Sequence, residues 1–93
     1  MRIIGEIPHS HFKITVFKME HRLSVKFEQG FLEQTYKFRE NENLKGFADI
    51  VNLIDENFIN QVLTVFKNME THYLETMKTI SPAQEEAYFE EII

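Results

Sequence analysis

The chain has no cysteine and no tryptophan, and only two prolines and three glycines among its 93 residues. Without cysteine there is no disulfide framework, no thiolate nucleophile and no thiolate zinc site, so nothing ties the fold to an oxidising compartment. Gly5, Gly30 and Gly46 are too scattered for a loop that cradles phosphate, which sets aside nucleotide binding through a glycine-rich motif. Long apolar runs are also missing, since no stretch approaches the roughly 18 residues that a membrane span needs. Gly5, Glu6 and Pro8 interrupt the N-terminal residues where a secretory leader would be apolar. The expectation is a cytoplasmic protein with no membrane partner.

What is present is apolar and aromatic. Hydrophobic residues make up 43% of the chain and nine of them are Phe, enough for a packed core and unlike a disordered composition. A single domain of this size buries roughly 60 to 65% of its unfolded surface and keeps a modest stability margin. The net charge of −5 works against non-specific nucleic-acid binding, but it is unevenly spread. Residues 1–39 hold seven Lys or Arg against four Glu, whereas the remainder holds three Lys against eleven acids. The first part is mildly basic and the second strongly acidic.

Four segments in residues 1–39 alternate with period two, and their phase flips at each turn, as two-residue or four-residue hairpin loops require. The inward sets are Ile3, Gly5 and Ile7; Phe12, Ile14 and Val16; Leu23, Val25 and Phe27; and Leu32, Gln34, Tyr36 and Phe38. Turns are expected at His9-Ser10, Glu20-His21 and Gln29-Gly30, with Pro8 ending the first strand. Those loops place Ile7 opposite Phe12, Gly5 opposite Ile14, Ile3 opposite Val16, Ile14 opposite Phe27, Val16 opposite Val25, Phe27 opposite Leu32 and Leu23 opposite Tyr36. Gln34 is the odd residue on an apolar face, and its amide is expected to be satisfied by backbone or by a helix under the sheet.

After Arg39 the period lengthens to about 3.6, with Asn41–Asn43 as hinge and cap. Leu44, Phe47, Ile50, Val51 and Ile54 mark a short amphipathic turn or helix. Asp55 then caps a long helix with an apolar stripe of Ile59, Val62, Phe66, Met69, Tyr73, Met77 and Ile80. Ser81-Pro82-Ala83-Gln84 has the form of a capping box for a short acidic helix. The expected fold class is therefore α+β: a four-stranded antiparallel β-meander (about residues 2–39) packed on one long C-terminal helix with shorter flanking helices. The whole of 1–93 forms one domain, with the helical layer over 44–80 and the acidic helix over 82–91.

A helix from about Glu56 to Thr79 runs roughly 35 Å at 1.5 Å per residue, whereas strands of six or seven residues span about 20 to 23 Å. The helix overhangs the sheet, and Tyr73, Met77 and Ile80 are the candidate contacts for a dimer or partner. The excess apolar surface points to a homodimer.

No motif carries chemistry above chance, so no enzymatic activity, metal or cofactor is expected. His9 and His11 have the spacing of two ligands on one side of an extended strand but no third nearby. Ser10 lacks an acid partner. Asp55 and Glu56 are explained by capping.

The outer face of the expected sheet is largely neutralised, with Lys13 between Glu6 and Glu28 and Lys26 opposite Glu33. One end is not. Arg22 is expected to face Lys37 with Arg39 one step on and Phe17 and Arg2 in the same region, which makes these five residues the candidate binding site. A four-stranded antiparallel sheet followed by a long helix resembles, in order of elements over residues 2–80, the whirly and Pur-type single-stranded nucleic-acid binders. That resemblance implies dimerisation through helices and nucleic acid laid across the sheet. The expected outer face itself offers Phe17 at the basic end, and Phe31 elsewhere, for stacking. The first reading remains a non-catalytic protein-interaction or regulatory module that pairs with itself and with another protein. Single-stranded nucleic-acid binding is the alternative.

Overall fold

Strands that alternate between water and core need a second layer to bury the apolar side. The computed structural model describes residues 1–79 and supplies that layer with helices. Strands β1 (Arg2–Ile7), β2 (Lys13–Met19), β3 (Arg22–Gln29) and β4 (Leu32–Arg39) form one antiparallel sheet in chain order. Helices α1 (Phe47–Leu53) and α2 (Glu56–Met77) cover its inner face. The class is α+β, and the short helix expected over 82–91 lies outside the described residues.

Phe12, Ile14, Val16, Leu23, Val25 and Phe27 from the sheet side pack with Ile50 and Ile54 and with Val62 and Phe66 of α2. Phe27 is the centre of an aromatic group. It meets Phe12 edge-on at 5.7 Å, Tyr36 edge-on at 5.8 Å and Phe58 stacked at 5.9 Å. A fully buried Phe contributes about 3 kcal/mol through its area alone, so this cluster is a large share of a small domain's stability.

The β2–β3 hairpin has the expected register, with Ile14 opposite Phe27 and Val16 opposite Val25. Its two loop residues are Glu20 and His21, and Glu20 takes φ +52°. The β3–β4 register differs from expectation by two residues: Phe27 faces Gln34, Val25 faces Tyr36 and Leu23 faces Phe38. Gly30 sits at φ +59° in the first position of a Gly30-Phe31 loop, so Gln29 still belongs to the strand. The physical reason is that the positive φ falls on the first loop residue, where a type II′ hairpin wants it and where glycine adopts it without strain. A shift of two keeps every side chain on its own face.

The β1–β2 pair differs more. Pro8–Phe12 form a longer connection than the expected His9-Ser10 turn, which sets Ile7 opposite Ile14 and Gly5 opposite Val16. Within this connection the His9 ring stacks on Phe12 at 4.4 Å, and the His11 N–H donates to His9 Nδ1 at 3.0 Å. The register then shifts between Ile3 and Gly5, so that Ile3 faces Phe17 and Arg2 faces Lys18. Phe17 belongs to the outer face, and Ile3 is consequently 62% exposed instead of inward. Ile4 packs against the core in its place.

Gly5 leaves no gap on the inner face. A Cβ at this position would lie 2.6 Å from Cδ1 of Phe47, so the α1 ring occupies the space a side chain would need. Gln34, only 8% exposed, donates its Nε2 to the Val62 carbonyl at 3.0 Å and accepts from the Tyr36 hydroxyl at 2.6 Å. A helical carbonyl has a second lone pair to offer, so the amide is satisfied without breaking α2. It ties β4 to the helix with a net worth of about 1 kcal/mol per bond.

Asp55 Oδ1 accepts the Phe58 N–H at 2.9 Å, which caps α2 as expected. Asn41 is not a helix cap: its Oδ1 accepts from the Asn43 N–H at 2.8 Å, while Asn41 and Leu44 exchange backbone bonds at 3.1 Å. This turn delays α1 to Phe47, where Asp49 Oδ2 accepts the Lys45 N–H at 2.8 Å.

Gly5→Ala is expected to lower stability by about 1–3 kcal/mol, because the Phe47 ring must move out of a packed site. Urea unfolding checks it, and a neutral or stabilising effect would mean that the ring swings aside freely.

Candidate functional site

The outer face is read most easily as rows across the strands. One row carries Glu6, Thr15, Lys26 and Thr35, and the next toward the β1–β2 turn carries Lys13, Glu28 and Glu33. Lys13 lies between Glu6, at 3.9 Å, and its register partner Glu28. Lys26 does not face Glu33, because the two-residue shift places it opposite Thr35. It pairs with Glu28 along its own strand at 3.5 Å, and Glu28 faces Glu33 instead. Long side chains lie over the middle of the sheet so closely that Thr15 is only 3% exposed.

Toward the other end the chemistry changes. Ile3, Phe17, Ser24 and Lys37 form one row, and Met19, Arg22 and Arg39 form the next. Arg22 faces Arg39, not Lys37, for the same reason that Lys26 loses Glu33. Among the described residues no carboxylate pairs with Arg22, Lys37 or Arg39. A depression at this end is lined by Met19, Glu20, His21, Arg22 and Arg39.

Four of the five expected site residues therefore meet on one surface: Phe17, Arg22, Lys37 and Arg39. Arg2 leaves it. The shift in β1 sets Arg2 opposite Lys18, which faces the buried Leu23 and so belongs to the inner side. There Lys18 reaches across to Glu40 at 3.4 Å and closes the end of the core. Ile3 takes the vacant place on the outer face, and with Phe17 and the 47% exposed Met19 it makes an apolar strip beside the cations. Nothing local in the sequence marks Ile3 as outward, because its alternation with Gly5 and Ile7 is regular.

Lys26 Nζ lies 5.4 Å from the centre of the Phe17 ring. This cation–π contact holds the ring on the surface. The arrangement can bind an apolar group and an anionic group side by side, with two arginines on the anion.

The second candidate set lies along α2. Tyr73 stacks on Phe31 at 6.4 Å, at the mouth of a groove lined also by Gln29, Gly30, Leu32, Glu70 and Leu74. Met77 is buried, and Ile80 lies outside the described residues. The exposed apolar positions of α2 are Val65 and Leu74. Among the described residues no group of three or more His, Cys, Asp or Glu could hold a metal, and no helix is long and apolar enough to cross a membrane.

No protein-family model, curated protein or solved structure matches the chain. The resemblance to whirly and Pur-type binders thus stays one of element order.

Arg39→Glu is expected to raise stability by about 0.5 kcal/mol at low salt, since it turns a like-charge cross-strand pair into an opposite one. The gain should fade as salt is added. Thermal unfolding at two ionic strengths checks this, and a loss of stability would show that Arg39 is held by a carboxylate.

Proposed function

We propose that this chain is a small, non-catalytic interaction module that self-associates and receives a protein segment on the outer face of its sheet. The partner segment is one that presents apolar side chains beside Asp or Glu. The observation that carries this reading is the strip of Ile3, Phe17 and Met19 next to Arg22, Lys37 and Arg39, on a face whose other half holds its lysines in ion pairs with Glu6 and Glu28. Opposed arginines cost stability in the free protein, and an acidic partner would remove that cost. An aromatic and arginine anchor beside apolar surface is the composition of an interaction hot spot. Self-association is supported by β4, a regular eight-residue strand at the edge of the sheet among the described residues. A cytoplasmic setting belongs to the same reading and rests on the absence of cysteine.

Single-stranded nucleic acid is the second reading, favoured by the nearness of Phe17 to three cations. It is the weaker because Lys26 lies against the Phe17 ring, Glu28 and Glu33 stand on the same face, and the chain is acidic overall.

A random-peptide library selected on the protein, with counter-selection on the Phe17→Asp/Arg22→Glu variant, is expected to enrich peptides that combine Asp or Glu with Leu, Phe or Trp. No enrichment, or enrichment indifferent to the two substitutions, overturns the reading. Oligonucleotide binding that weakens at least about tenfold between about 50 and 200 mM salt, and is lost in Arg22→Glu/Arg39→Glu, would put the second reading in its place.

A further inference from the structure

An open sheet has two edges, and each presents unpaired backbone donors and acceptors. Here the two edges are unlike. β1 is six residues long, interrupted by its register shift and followed by Pro8, which is how an edge is made unfit for pairing. β4 runs eight residues without bulge, proline or glycine and keeps a continuous ladder with β3. Among the described residues its other side meets no strand.

The sequence of β4 complements itself. Glu33, Thr35, Lys37 and Arg39 are the exposed outer-face residues, and Glu33 and Lys37 set opposite charges two positions either side of the threonine. We infer that two copies of the chain pair antiparallel through β4, about a two-fold axis at Thr35, so that their sheets continue into one. This rests on the self-association in the function proposed above and names the surface that produces it.

In this register Thr35 meets the partner's Thr35, Glu33 meets the partner's Lys37, and Lys37 meets the partner's Glu33. Thr pairs and opposite charges are favourable cross-strand neighbours, and the symmetry doubles the ionic contribution. Glu33 faces Glu28 in its own sheet, so the partner's ammonium relieves an existing repulsion. On the inner side Gln34 meets the partner's Tyr36, and the half-buried Leu32 meets the partner's half-buried Phe38.

Other registers do worse. A slip of one residue would set outer side chains opposite inner ones. A slip of two in one direction puts Glu33 opposite Thr35 and loses both ion pairs. In the other direction Glu33 meets the partner's Arg39 and two ion pairs survive, but the Thr35 pair is lost to Lys37 and Leu32 falls opposite Glu40, a carboxylate already paired with Lys18. Sensitivity to Lys37→Glu separates this register from the one about Thr35.

Sedimentation equilibrium of the full chain tests this with Glu33→Lys, Lys37→Glu and the double exchange. The wild type is expected to dimerise at about 50 µM, and each single substitution to weaken the dimer about tenfold or more. The double exchange restores the pairing and is expected to return within about threefold of the wild type. Glu33→Lys removes the repulsion with Glu28, so its loss of dimer is not a loss of fold, and circular dichroism checks that. A dimer indifferent to all three variants overturns the β4 interface and leaves self-association standing. A wild type that stays monomeric at every concentration overturns both.

Discussion

The register shift between Ile3 and Gly5 is the constraint on which the rest of the surface depends. Gly5 has to face inward, because the Phe47 ring stands where any side chain would be, and Phe47 opens the helix that brings Ile50 into the core. One extra residue in β1 then reverses the faces of everything before it. Ile3 goes out to Phe17, and Arg2 goes in beside Lys18. The same irregularity spoils β1 as a pairing edge and leaves β4 as the regular one. A packing demand on the inner face thereby decides both what the outer face offers and which edge strand, among the described residues, is regular.

Period-two alternation and helix caps carried most of the fold. Inward sets of β2, β3 and β4 were legible because face depends only on parity, and a two-residue error in the β3–β4 register does not alter it. Partner identity needs more than parity. Gln29-Gly30 and Gly30-Phe31 are equally plausible loops until the sign of φ at each position is known. The positive φ falls on Gly30 as the first loop residue, and Arg39, not Lys37, therefore faces Arg22. The Gln34 amide was legible as a polar group needing a partner, but not that Val62 and Tyr36 would share it.

The β1 shift had no such signature. Ile3, Gly5 and Ile7 alternate as an undisturbed strand would, and the fault appears only when Phe47, more than forty residues away in sequence, claims the space at Gly5. Long-range packing overrode local pattern there. Four of five expected site residues still meet, because β2, β3 and β4 are free of such interruption. A dimer through β4 would engage Lys37 with the partner's Glu33 and leave Arg22 and Arg39 beside the apolar strip, one such site toward each end of the joined surface.

Cross-strand nuclear Overhauser contacts between β1 and β2 test the central claim most directly. The account predicts Gly5 opposite Val16 together with Ile3 opposite Phe17. Contacts placing Ile4 opposite Phe17 and Ile3 opposite Lys18 would mean an uninterrupted strand, and would remove both the apolar strip and the reason for preferring one edge.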